Sequence, residues 1–135
     1  MLEIYQKTIS EPISFDGIGL HSGINSKVTI LPGADDQGII FKRVDLKRNN
    51  LVQANYKNVA SAKLCTTLEN EFGVKVSTVE HLLAALYIAN IDNAVIEINN
   101  EEVPIMDGSA KEFLNILDQV ETQTLKKKRK YLKIL

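Results

Sequence analysis

Glu80 and His81 stand side by side at the start of STVEHLLAALYIAN, residues 77–90. A carboxylate can take a proton from water, and an imidazole can hold a metal ion. Two such groups together could serve metal-assisted hydrolysis. Each also has a plainer reading. Ser77 and Glu80 have the spacing of a capping box, in which the Glu side chain reaches back to the cap backbone. His81, alone on an apolar face, also reads as a core histidine with a satisfied hydrogen bond. A catalytic zinc site uses three protein ligands and a water. Besides His81 this chain offers one further histidine, His21, and one cysteine, Cys65, and position 85 is Ala, so no HExxH is present. The chain reads poorly as a self-contained zinc site. Asp107, in IMDGSA, is either a carboxylate that supports the site from behind or part of a structural turn. Ser109 and Glu112 repeat the capping-box spacing.

The helix around Glu80 is expected over 78–89. At 100° per residue Val79, Leu82, Leu83 and Leu86 form an inward stripe. His81, Ala84, Ala85 and Ile88 fall on the other side and are apolar too, which calls for a second layer over them. Nothing in this chain supplies that layer. A second helix is expected over 109–120, with Phe113, Ile116, Leu117 and Val120 inward. Strands are expected at 3–10, 26–32, 38–44, 94–98 and, in YLKIL, at 131–135. Residues 64–76 read as a hairpin turning near Asn70 to Gly73. SFDGIGLHSG, 14–23, reads as a tight, glycine-rich loop. The class is α+β: a two-layer sandwich of a mostly antiparallel sheet packed with two helices.

With 135 residues the chain is expected to form one domain over 1–123, followed by a basic linker and a last strand at 124–135. A net charge of −1 gives no global field toward nucleic acid or membrane. KKKRK, 126–130, reads as solvated linker. One cysteine forbids a disulfide framework and fits a reducing compartment. The first ten residues lack a signal-like apolar core. The longest apolar run, Leu82 to Ala89, is far short of the ~20 residues that cross a bilayer. The expectation is a cytoplasmic protein that is not an integral membrane protein.

GIGLHSG (17–23), LCTTL (64–68), STVEHLLAAL (77–86) and VPIMDGSA (103–110) resemble the N-terminal half of UDP-3-O-acyl-N-acetylglucosamine deacetylase, the zinc enzyme that commits Gram-negative bacteria to lipid A synthesis. The four motifs stand in that family's order and spacing, across essentially the whole chain. The resemblance implies two similar domains with the active site between them. It implies zinc held by His81 together with a His and an Asp of the second domain, with Glu80 as general base. It places the loop with His21 near the active-site mouth and the segment with Leu64 and Cys65 on the substrate side, which makes Leu20, His21, Leu64 and Cys65 candidate substrate contacts. Read locally, His21 is an exposed turn histidine, Leu20 a packing residue, and Leu64 and Cys65 core residues. KYLKIL is similar to the first strand of the second domain, so the rest of the site is expected outside this chain. The substrate would be a UDP-linked, 3-O-acylated glucosamine bearing a 2-acetamido group. The partner would be the enzyme's own C-terminal domain. Rival readings are a non-catalytic truncated product and an α+β binding domain whose basic tail contacts RNA.

Overall fold

The computed structural model describes residues 4–135. Of the expected first strand, Glu3 lies outside the described residues. In chain order the elements are β1 (Tyr5–Ile9), β2 (Ile13–Ile18), β3 (Asn25–Pro32), β4 (Ile39–Arg43), β5 (Leu51–Gln53), a 3₁₀ turn (Tyr56–Asn58), β6 (Val59–Ser61), β7 (Thr67–Glu69), β8 (Lys75–Ser77), α1 (Glu80–Ile88), β9 (Ala94–Ile98), α2 (Lys111–Leu117) and β10 (Thr122–Lys128). The α+β class holds. The strands, however, divide among three sheets: β2-β3-β9-β4-β5, the short meander β6-β7-β8, and the pair β1-β10. Neighbours are antiparallel except β4 and β9, which run parallel.

Alternation sets the inner face of the large sheet. Val28 and Ile30 of β3, Phe41 of β4, Val52 of β5, and Ala94, Ile96 and Ile98 of β9 are all buried. They share one core with Val79, just before α1, with Leu82, Ala85 and Leu86 of α1, and with Phe113 and Leu117 of α2. The inward stripe of α1 is therefore rotated toward Ala85, which lies next to Leu82 at i+3 and is fully buried. Leu83 is only half-buried. Ala84, Tyr87 and Ile88 remain exposed, and His81 is half-buried.

Both helices start later than expected, and neither capping box forms. The residue preceding α1 is Val79, which makes no side-chain cap bond. Ser77 belongs to β8 instead, where its N–H donates to Glu101 O at 2.8 Å and its carbonyl accepts from Val103 N–H at 3.1 Å. Sheet pairing thus claims the backbone that a cap would need. Ser109 stands one residue too early to cap α2, though its hydroxyl accepts from Lys111 N–H at 3.1 Å.

The basic segment is not a free linker. β10 pairs with β1, with Thr8 opposite Gln123 and Lys7 opposite Thr124. Lys127 reaches Asp36 at 2.7 Å, and Arg129 clasps Asp92. Pairing uses the backbone alone, so an exposed edge strand can carry polar side chains and a run of lysines, as in TQTLKKK. Excising 124–130 would strip β1 of its partner strand rather than leave the fold intact. Residues 131–135, expected as a strand, form none. A strand exists only through pairing, and they have no ladder here.

Candidate active site

Two antiparallel contacts bring LCTTL beside STVEHL. Thr67 of β7 faces Ser77 of β8, and Val79 N–H points to Thr66 O at 3.4 Å. The first residue of α1, Glu80, then turns its side chain back across this seam. Its Oε2 accepts from Thr66 N–H at 3.2 Å, and Oε1 has no hydrogen bond among the described residues. A carboxylate held by one oxygen, with the other open, can accept a proton without losing its anchor. A carboxylate at this helix N-terminus also complements the helix dipole.

His81 follows on the next position of the turn. Its Nδ1 is buried and has no hydrogen-bond partner. An unpartnered buried polar atom costs about 1–3 kcal/mol. So the satisfied core histidine is not what the structure contains. Among the described residues no three His, Cys, Asp or Glu side chains group closely enough to hold a metal ion. The donor chemistry of His81 suits one corner of a tetrahedral metal site, and among the described residues no grouped donors fill the other corners.

A carboxylate absent from the sequence-derived candidates holds the surroundings together. Glu102 is 2% exposed. Its Oε1 accepts from His21 N–H at 3.0 Å and Ser22 N–H at 2.9 Å, and its Oε2 from the Thr78 hydroxyl at 2.7 Å. One buried group thus ties the GIGLHSG loop to the residue just before Val79 and Glu80. Thr78 has φ 57°. Left-handed backbone in a β-branched residue costs about 1–3 kcal/mol and persists only where neighbours over-determine it. The bond to Glu102 is one such constraint, and it helps to aim α1. The glycines of the loop answer to the same geometry. A Cβ on Gly19 would collide with Glu102 and Ser22, and one on Gly17 would lie 2.9 Å from Pro104 Cβ and 3.1 Å from Met106 Sδ. Nothing in a single sequence marks Glu102, because its partners are 24 or more residues away.

Burial pushes the Glu102 carboxyl up, but the Ser22 N–H, the Thr78 hydroxyl and the His21 N–H outweigh it and hold the group below its ordinary 4.5. Folding therefore favours the ionised form. Its contribution is complete above pH 4.5 and disappears as pH falls through the lower folded value. Glu102→Gln should cost about 1–3 kcal/mol at pH 7, since an amide turns NH₂ toward groups that are themselves donors. The same variant should flatten the acid limb of stability below pH 4.5, as read by thermal unfolding across pH. An unchanged acid limb would show that Glu102 is not the group responsible.

The remaining candidates surround this centre unevenly. Leu20 and Leu64 are exposed, at 60% and 85%, and Leu64 has φ 67°. Apolar side chains so placed are available to an apolar ligand. His21 binds Glu102 through its backbone and leaves its side chain on an exposed residue. Cys65 is half-buried, with Sγ 3.7 Å from the Thr67 hydroxyl. Asp107 is exposed and accepts both the N–H and the hydroxyl of its neighbour Ser109, at 2.9 and 2.8 Å. The Ser109 hydroxyl, then its N–H, hold the Asp107 carboxyl below its ordinary value. No hydrogen bond or ion pair joins Asp107 to Glu80 or His81 among the described residues. Its loop still abuts the site, since Ile105 N–H donates to Ile18 O at 2.9 Å.

The family profile for UDP-3-O-acyl N-acetylglycosamine deacetylase (LpxC) matches residues 6–135. The chain belongs to this family. UDP-3-O-acyl-N-acetylglucosamine deacetylase of Phenylobacterium zucineum is 40% identical over 133 residues, covering 98% of this chain and 45% of the relative. The Vibrio cholerae deacetylase is 44% identical over 131 residues, covering 97% and 43%. That of Geotalea uraniireducens is 44% identical over 128 residues, covering 95% and 41%. The chain thus spans less than half the length of these curated deacetylases. Hydrogen bonds link the four segments: LCTTL reaches Glu80 through Thr66, GIGLHSG reaches Thr78 through Glu102, and VPIMDGSA reaches Ser77 through Val103.

Proposed function

We propose that this chain is one half of a zinc-dependent deacetylase that hydrolyses the 2-acetamido group of UDP-3-O-acyl-N-acetylglucosamine in lipid A biosynthesis, in the cytoplasm. The observation that carries the reading is the adjacent pair on the first turn of α1. Glu80 has one anchored and one open carboxylate oxygen, and His81 has a buried ring nitrogen without a partner. A carboxylate and an incomplete metal-ligand set, in a chain spanning under half its relatives' length, are what a site shared with a second half requires.

In this reading Glu80 takes a proton from the water that attacks the acetamide carbonyl. The C–N bond breaks, a C–O bond forms, and acetate and the free 2-amine are released. Zinc, when bound, lowers the pKa of water toward 7 and polarises the carbonyl. Thr66 N–H holds Glu80 in place through the proton transfer. His81 contributes one ligand, and the remaining ligands and the group assisting the leaving amine come from the second half. Leu20, His21, Leu64 and Cys65 face the substrate, and Asp107 supports the loop beside Ile18. Among the described residues no helix is long and apolar enough to cross a membrane.

The test is acetate release from the UDP-linked substrate by the full-length protein. Chelation should abolish release, and added zinc should restore it. Turnover that is indifferent to chelator and zinc would overturn the metal-dependent reading.

A further inference from the structure

The end of α1 opposite His81 is tied to the segment by which the chain leaves this half. Asp92 lies two residues past Asn90, just beyond the helix. Its Oδ2 accepts from Lys7 N–H at 2.8 Å, and its own N–H donates to Lys7 O at 2.9 Å. Arg129, one residue past β10, grips the same carboxylate with two parallel bonds, Nε to Oδ1 at 2.8 Å and Nη2 to Oδ2 at 2.9 Å. Nη2 also reaches Asn90 O at 3.5 Å, and Arg129 N–H donates to Ile4 O at 2.7 Å. Both side chains are about three-quarters buried, 24% and 23% exposed. Such planar, two-bond pairs fix direction as well as distance. Immediately beyond, Tyr131 helps to line a groove of about 440 Å³ with Tyr87 and Ile88, the large exposed hydrophobic residues of α1.

We propose that Arg129 and Asp92 are positioning residues: their clamp fixes the direction in which the chain leaves β10 relative to α1, and so aligns the second half's metal ligands with His81. The inference rests on the shared-site reading above. Neither residue touches the reacting atoms. His81 and Ile88, the last residue of α1, are seven positions apart, about 10 Å along a helix at 1.5 Å per residue. Over that lever a rotation of about 5° moves the far end by about 1 Å, a misplacement that can cost on the order of 100-fold in rate. The bidentate pair resists that rotation, whereas a flexible exit would not.

The experiment uses the full-length protein carrying Arg129→Gln, Arg129→Lys, Asp92→Asn or Arg129→Gln with Asp92→Asn, each kept well below its thermal midpoint. Zinc affinity is read by chelator competition, ligand geometry by the visible absorption of the cobalt(II)-substituted protein, and turnover by acetate release. Arg129→Gln should weaken zinc binding about tenfold, the scale of outer-shell partners, and change the cobalt bands. Turnover should fall about 10–100-fold. Arg129→Lys, which keeps the charge but not the second parallel bond, should lie between Gln and the unaltered protein. The double variant should be no worse than either single one, as for groups that act as a unit. A folded Arg129→Gln protein with unchanged zinc affinity, cobalt spectrum and turnover would overturn the clamp while leaving the shared-site reading standing. An unaltered full-length protein that neither binds zinc nor releases acetate would overturn both.

Discussion

In the full-length protein, Glu80→Ala is expected to lower deacetylation by about 10²–10⁴-fold, the usual contribution of a general base, while bound zinc stays at its original stoichiometry. The expectation separates two roles that stand one residue apart. Glu80 has one oxygen on Thr66 N–H and one open, a geometry for moving a proton. His81 has a buried nitrogen without a partner, a geometry for a ligand. The Ala variant also leaves Thr66 N–H without its acceptor, so Glu80→Gln is the sharper probe. Gln keeps an oxygen for Thr66 but cannot take up a proton. If Glu80 is the base, Gln and Ala should lose activity to a similar extent. Full activity in the Gln variant would leave Glu80 as an anchor for the 64–67 segment and nothing more. Loss of zinc together with activity would make it a ligand instead.

His81→Ala is expected to do the converse. Zinc affinity should fall by more than the 10–100-fold that outer-shell partners cost, because a direct ligand is removed, and turnover should fall with it. The metal-free variant, however, should unfold at the same temperature as the metal-free parent or above it. Nδ1 makes no hydrogen bond, so truncation leaves no donor or acceptor stranded within this half. Chelator competition and thermal unfolding of the metal-free proteins measure the two effects separately. A metal-free variant destabilised by several kcal/mol with unaltered zinc affinity would return His81 to the core.

The parts of this site that follow from local periodicity were legible in the sequence. The 3.6-residue pattern over Val79 to Leu86 announced α1, and two-residue alternation announced β3 and β9. The turn at Asn70 to Gly73 also follows from its residues, with the Asn70 side chain accepting from Phe72 and Val74 N–H. The apolar outer face of α1 was legible in part: Ala84 and Ile88 are exposed, but Ala85 is buried, because rotation about the helix axis depends on what packs behind it. What stayed hidden depends on distant pairing. Ser77 looked like a cap, but Glu101 and Val103 draw its backbone into a ladder. The lysine-rich run looked like linker because β10 hides its backbone pairing behind solvent-facing charge. Glu102 gave no local signal, since its meaning lies in His21, Ser22 and Thr78 arriving from two other segments.

The most direct measurement is a calorimetric zinc titration of this 135-residue chain beside the full-length protein, paired with acetate release from the UDP-linked substrate. His81 without a grouped second and third ligand among the described residues predicts that the chain alone neither holds zinc at submicromolar affinity nor turns over, while the full-length protein does both. Submicromolar zinc binding with measurable deacetylation by the 135-residue chain would contradict the account, because the site would then be complete within it.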